Sequence, residues 1–518
     1  MDGKAIRKIV IVGGGTAGWM AAAPLAQRLC QGPGQRCEVV LIESPDIGTI
    51  GVGEATLPTI RFYNQALGLD NADFIKNTQA SFKLGIEFKG WGHLGNRFFH
   101  GFGEFGPAVD GMAGHMLWLR LRLSGMTGLP SHEDWSAATV MARQNRFTLP
   151  QSGPPSAGNA FSYAFHFDAG LYAAYLRDYA MQRGAVRIEG TIVDVELRDT
   201  DGFVAAVRLQ DGRRIDGDLF LDCSGFRALL IEGVMKAGYE DWSAMLPCNS
   251  AQAVPSARAP SLTPFTTSTA RSAGWLWRIP LQHRTGNGHV YCNQFTSDAE
   301  ASRVLLDGLD TEALDEPRQL RFTTGRRRQA WVKNVVAVGL ASGFLEPLES
   351  TSIQLIMDGV GRLVELMPDR DFHPALAAEY NRRMQAQYES IRDFIVLHYK
   401  LTRRDDSEFW RYCAAMPIPD TLRHQIELFR AAGRIVILDR EGFSEPSWFS
   451  LLMGLGVVPQ SRDPWLDRFD GDALRTHLER VRRAIAGTVA GMPDHGDFIA
   501  QFAAAPPVAM PRPASMPH

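Results

Sequence analysis

With 518 residues, 45% of them hydrophobic and 21% charged, the chain has the balance of a globular protein with a large buried core, not of a disordered segment. Lys and Arg number 54 against 57 Asp and Glu, and the resulting net charge of −3 offers no electrostatic footprint for nucleic acid or an anionic membrane surface. Cys30, Cys37, Cys223, Cys248, Cys292 and Cys413 show neither CxxC nor zinc spacing, and no apolar run is long enough to span a bilayer. Reduced thiols, a cytoplasmic setting and no metal are expected.

The chain first reads as a βαβ unit: a buried strand Ile9–Val12, a turn Gly13–Gly18, a helix Trp19–Cys30 ended by Gly32-Pro33-Gly34, and a strand Cys37–Glu43. Its turn, Gly13-Gly14-Gly15-Thr16-Ala17-Gly18, fits G-x-G-x-x-G, and Glu43 closes the second strand 25 residues beyond Gly18. The glycines permit a tight turn, approach of backbone to a pyrophosphate and close helix packing, while the acid suits a ribose hydroxyl. An acid there disfavours NADP. FAD is favoured over NAD because later strands ending at Gly225 and Gly339 also close on small residues.

In Phe82-Lys83-Leu84-Gly85-Ile86-Glu87-Phe88 the apolar residues alternate, which puts Lys83 and Glu87 on one face of a strand. Two readings fit: a solvated edge with a surface ion pair, or a desolvated amine lining a cavity. His100 and Phe102, two residues apart, suit either a structural histidine or a sandwich for an aromatic substrate. Pro150–Gly158 is a surface loop. Val186–Leu209 contains a hairpin turned at Asp201-Gly202 and leads to a strand at Asp218–Phe226.

Gly274-Trp275-Leu276-Trp277-Arg278-Ile279-Pro280 alternates again, so Trp275, Trp277 and Ile279 form either core or a rigid apolar wall beside a flavin. The strand Val335–Gly339 then runs into Glu346-Pro347-Leu348-Glu349-Ser350-Thr351-Ser352-Ile353-Gln354, a polar helix start that reads as the other wall of a flavin site. Glu349 is there either a capping acid or a group facing the reactive ring, and Thr351 and Ser352 aim backbone N–H groups at an anion. Residues 357–400, broken near Pro368 and Pro374, and 464–499 are mainly helical. Residues 503–518 have nothing to bury and are expected to be a disordered tail.

Taken together, these residues resemble the flavin-dependent halogenases of the tryptophan-halogenase type. The match covers Gly13–Gly18, Ile50-Gly51-Val52-Gly53-Glu54-Ala55-Thr56, the strand around Lys83, the Trp-x-Trp-x-Ile-Pro string at Trp275–Pro280, and Pro347-Leu348-Glu349-Ser350-Thr351. The resemblance implies an α/β fold of the FAD-binding, two-dinucleotide-binding-domain type, monooxygenase-like, with an added helical module over the substrate. It implies one compact unit over 1–502, with the FAD core at about 1–110, 155–235 and 330–400 and helical segments at about 110–150 and 400–500.

The reaction implied is oxidation of chloride or bromide to hypohalous acid by reduced FAD and O2, the FADH2 coming from a separate flavin reductase. The oxidant passes to Lys83, which holds it by hydrogen bond or as a haloamine, and Glu349 polarises it and takes the proton from the ring intermediate. The resemblance assigns FAD to Gly13, Gly15, Thr16, Ala17, Gly18, Glu43, Gly339 and Ser350, with Trp275 and Trp277 as the wall. It assigns halide to Thr351 and Ser352 and substrate to His100, Phe102 and Trp448. Ser352 stands where the family usually has glycine, which implies altered halide geometry or an ordinary backbone, and bromide is expected to serve at least as well as chloride. The stretch Ala432–Pro446, ahead of the helix that carries Trp448, lacks the Tyr-Tyr pair that clamps the amino-acid backbone of tryptophan. A smaller indole is therefore expected to bind better than free tryptophan. An aromatic monooxygenase and a non-catalytic flavin-binding protein are the competing functions.

Overall fold

A computed structural model of the chain describes residues 4–31, 37–45, 53–153, 156, 159–437 and 442–507. Gly32-Pro33-Gly34, Ile50–Val52, part of the 150–158 loop, residues 438–441 and residues 508–518 of the expected tail lie outside the described residues. The chain divides into two compact units, the first made of Met1–Gln79, Phe167–Ser243 and Phe322–Glu389, the second of Ala80–His166, Ala244–Arg321 and Ser390–His518. Gly85–Lys89 and Arg97–Gly101 pair into the sheet of the second unit.

The first unit is built on a six-stranded sheet in the order Trp331–Val332, Val335–Ala337, Leu219–Asp222, Lys8–Val12, Glu38–Glu43, Val186–Glu189, parallel except for the first pair. A parallel sheet is covered on both faces, which is why its central strands are continuous apolar runs. Ile9, Val10, Ile11, Val39, Leu41, Leu219, Phe220, Leu221, Val335 and Val336 have no exposed surface. Helix Thr16–Leu25 follows the glycine turn and packs on helices Ala169–Gln182 and Ser352–Glu365. The expected hairpin is present as Ile192–Leu197 against Val204–Leu209, with Gly202 at φ +66° in the turn.

The second unit holds a seven-stranded sheet in the order Arg318–Arg321, Ser250–Ala257, Arg284–Tyr291, Gly274–Pro280, Thr266–Arg271, Gly85–Lys89, Arg97–Gly101. Its neighbours are antiparallel except Thr266–Arg271 with Gly85–Lys89. Helices Gly114–Leu123, Ala137–Arg143, Glu445–Gly454, Gly471–Ala490 and His495–Ala503 belong to this unit. Helix Glu445–Gly454 lies on the edge strand Arg97–Gly101, where a Cβ on Gly454 would come within 2.4 Å of the Phe98 ring. The last helix runs beyond the expected end at 499, and the Ala505 N–H donates to Gln282, so ordered chain continues past residue 503. Among the described residues no helix is long and apolar enough to cross a membrane. All six cysteines are buried free thiols.

Candidate active site

In the first unit the three motif glycines have three separate jobs. Gly13 takes φ +112° and lies so near the Cys223 carbonyl that a Cβ would meet its oxygen at 2.3 Å, so only glycine makes this turn. A Cβ on Gly18 would meet the Gly13 carbonyl oxygen at 1.9 Å, which is the close helix packing the motif requires. Gly15, at φ −74°, faces open space, with nothing within 4 Å of a Cβ placed there. That opening lies at the start of helix Thr16–Leu25, whose free N–H groups favour an anion. The donor set fits the pyrophosphate of a dinucleotide.

Glu43 closes its strand as expected, but its carboxylate is engaged within the protein: it pairs with Arg187 and accepts from the Trp19 indole N–H at 3.3 Å. Gly339, at φ +68°, starts a 3-10 turn whose Cβ position is 2.7 Å from the Ala17 methyl, so the two expected cofactor segments converge.

Pro347–Glu349 is a single 3-10 turn, Ser350 adopts a left-handed conformation at φ +62°, and helix Ser352–Glu365 follows. Glu346 and Glu349 are completely buried, so Glu349 is no solvent-facing capping acid. Thr351, the residue before the helix, is 1% exposed and its hydroxyl has no hydrogen-bond partner among the described residues. An orphaned buried hydroxyl beside a helix N-terminus fits a small anion. The positive φ falls on Ser350, whereas Ser352 starts the helix with ordinary backbone, so serine at 352 meets no strain there.

In the second unit the lysine segment departs from the sequence pattern. It is two strands, Ser81–Lys83 and Gly85–Lys89, broken where the Leu84 N–H leaves to donate to the Pro264 carbonyl at 2.7 Å. Lys83 and Glu87 therefore do not share a face. Glu87 pairs with Lys89 and Arg97 at the rim of the large sheet, while Lys83 is completely buried with its amine 5.1 Å from the centre of the Phe102 ring. The solvated-edge reading of Lys83 is thereby excluded.

The residues expected to meet substrate lie in one aromatic group. His100 is 6.0 Å edge-on from Phe102 and adjoins a cluster that sequence reasoning missed: Phe394 is 5.8 Å from His100 and Phe443 is 6.2 Å from it. Phe394 and Phe443 are stacked at 3.7 Å, and Trp448 meets Phe394 edge-on at 5.0 Å. Phe394 was hidden in a continuous apolar run on helix Pro374–Lys400, and Phe443 in a stretch that had been read only for what it lacks. Trp275 and Trp277 lie side by side, their ring centres 6.1 Å apart. Trp275 is 1% exposed and packs on Trp91, which itself meets Tyr399 and Trp410, so it is core. Trp277 lies over Gly288, whose Cβ would sit 2.0 Å from its ring.

The family model described as tryptophan halogenase matches residues 8–471. The chain is 36% identical over 502 residues to tryptophan 6-halogenase ThaL of Streptomyces albogriseolus, covering 90% of this chain and 92% of that protein. Among solved structures, BrvH, a flavin-dependent halogenase from Brevundimonas sp. BAL3, superposes with a TM-score of 0.91 at 46% identity over 96% of this chain and 99% of that one. Xcc4156, a flavin-dependent halogenase from Xanthomonas campestris, gives 0.92 at 44% identity over 97% and 100%. The chain thus belongs to the tryptophan halogenase family and is a flavin-dependent halogenase.

Proposed function

We propose that the protein halogenates a small electron-rich aromatic, indole-like rather than free tryptophan, with Lys83 holding the hypohalous acid beside the ring. The observation that carries this reading is the complete burial of Lys83 with its amine over Phe102, a ring that touches His100 and through it the Phe394, Phe443 and Trp448 cluster. Bound as FADH2 and reacting with O2, the flavin supplies the oxidant for chloride or bromide. Gly13, Gly15, Thr16, Ala17 and Gly18 would receive its pyrophosphate, Glu43 its ribose, and Gly339 and Ser350 its ring end.

The Thr351 hydroxyl and the N–H groups that open helix Ser352–Glu365 are suited to hold the halide. Inside a dry pocket an amine holds an electrophilic halogen by hydrogen bond or as a haloamine, away from water. Glu349, completely buried, stabilises the cationic ring and accepts its proton. Reduced flavin comes from a separate reductase: of the two G-x-G-x-x-G matches, only Gly13–Gly18 lies between a parallel strand and a helix, whereas Gly101–Gly106 follows the antiparallel strand Arg97–Gly101 and opens no helix. Buried free thiols suit a reducing, cytoplasmic setting.

The test uses the protein with FAD, NADH, a flavin reductase, bromide and indole. Lys83→Met should abolish bromoindole while flavin oxidation continues. Glu349→Gln should leave hypohalous acid formation and slow substitution by about 10²-fold, the scale of one general base. Halide-independent oxygenation of indole that survives Lys83→Met would instead identify an aromatic monooxygenase.

A further inference from the structure

The strand that bears Lys83 is only three residues long, and its ladder with Ala164–Asp168 has the register Ser81 with His166, Phe82 with Phe165 and Lys83 with Ala164. So short a ladder holds an edge weakly, and two buried histidines from distant parts of the second unit complete it.

On one side the Ser81 hydroxyl donates to the Pro280 carbonyl at 2.7 Å, which leaves its lone pair for His166 Nδ1 at 3.1 Å. His166 must then carry its proton on Nδ1, and its bare Nε2 accepts from the Thr266 hydroxyl at 2.9 Å. On the other side the Phe82 N–H donates to His495 Nε2 at 3.2 Å, while His495 Nδ1–H donates to the Leu262 carbonyl at 2.8 Å. Both rings are completely buried and both are fixed in the same neutral tautomer. Their environment enforces that state. Burial lowers His495 to about 4, and burial with the Lys83 charge carries His166 well below its ordinary value.

The neighbouring side chain is held as firmly. Phe82 is stacked on Phe147 at 4.1 Å and flanked by Tyr163, Phe165, Phe498 and Phe502. Lys83, one peptide further on, has its backbone direction set by the Phe82 N–H and by the Ser81 clamp.

We propose that His166 and His495 are positioning residues for halogenation, two neutral imidazoles that lock the Ser81–Lys83 strand so that the Lys83 amine delivers its oxidant to substrate instead of releasing it. This rests on the reading of Lys83 above. A displacement of about 1 Å of a reacting group lowers rates on the order of 10²-fold, so loosening one clamp has a visible effect.

The experiment measures bromoindole and free hypobromite together, the latter with a scavenging dye, in the reductase-coupled system. His495→Phe, which fills the site but neither accepts nor donates, should lower bromoindole about tenfold or more and raise trapped oxidant, with KM for indole unchanged. His495→Gln, which restores an acceptor for the Phe82 N–H, should recover most of the yield. Thr266→Val should shift the ratio the same way through His166.

A His495→Phe protein with the original ratio of product to trapped oxidant overturns the proposal. Folding of that variant is not required for a decision: nitrogen spectra of histidine-labelled native protein should show both rings with the proton on Nδ1 at pH 7, and an Nε2–H or doubly protonated ring at either position also overturns it. Lys83→Met run alongside separates the two readings. Retained product in Lys83→Met removes the lysine relay itself, whereas lost product there with an unaffected His495→Phe removes only the clamp.

Discussion

Thr351 carries an unusual combination at the level of single atoms: a buried hydroxyl, next to a helix start, with no partner among the described residues. A buried hydroxyl left unsatisfied destabilises a fold by roughly 1–3 kcal/mol, and at Thr351 a bound anion would offset that cost. Thr351→Val has nearly the same shape and removes the hydroxyl. In the halide-free protein it should raise the melting temperature by about 1–3 °C, because the penalty disappears. In turnover it should raise KM for bromide by roughly tenfold, the loss of one hydrogen bond to an anion, with KM for indole unchanged. Thermal melts and halide titrations read the two effects separately. A variant that melts lower, or that keeps its halide KM, would show that the hydroxyl serves packing instead. Ser352 shows how little of this was legible beforehand: its departure from glycine raised the question of strain, yet the left-handed residue is Ser350, two positions earlier.

Among elements, the glycine turn separates fold from ligand. Gly15 sits at φ −74° facing open space, so Gly15→Ala is compatible with the native backbone and should leave the melting temperature within about 1 °C. Its methyl would occupy the approach to the pyrophosphate, so the Kd for FAD, measured by fluorescence quenching, should rise by tenfold or more. Gly18→Ala does the reverse, forcing a Cβ to 1.9 Å from the Gly13 carbonyl, and should destabilise the fold by about 1–3 kcal/mol or prevent it. Equal effects of the two substitutions on stability would refute this division. The turn could be read from sequence because a βαβ fingerprint is local: its strand, glycines and helix lie within one continuous segment. The lysine strand could not, because the break at Leu84 depends on the carbonyl of Pro264, 180 residues away, and the alternation of apolar side chains continues across it. The same distance hid Phe394 and Phe443, and the histidine clamps at 166 and 495, whose meaning exists only once Ser81 and Phe82 are placed beside them. The Trp-x-Trp-x-Ile-Pro string identified its strand correctly, but pattern alone does not say which tryptophan is core.

For the whole molecule, the buried histidines make folding depend on pH. Burial lowers His132 to about 3 and His289 and His495 to about 4, and carries His166 well down. In the unfolded chain each titrates near 6.5. Between those values the unfolded state binds more protons than the folded one, so stability is fully present above about pH 6.5 and is lost as pH falls toward 4. His132, His289 and His495 each account for on the order of 3 kcal/mol across that window, and His166 acts in the same direction. Glu54 acts the other way: burial raises it to about 7, so its contribution grows as pH falls from 7 toward 4.5. One such carboxyl offsets about one histidine, and desolvation raises Glu104 as well. The remaining histidines set the sign. The melting temperature, followed by scanning fluorimetry in low-salt buffers from pH 7.5 to 4.5, should hold nearly level to about pH 6.5 and then fall continuously. His289→Asn and His132→Asn, outside the proposed clamp, should each flatten part of that fall, because a side chain that takes up no proton in the unfolded chain removes the linkage. A native protein whose melting temperature is level or rises through this range would mean that the buried imidazoles accept protons in place, and with that the neutral, tautomer-fixed state of the second unit would no longer hold.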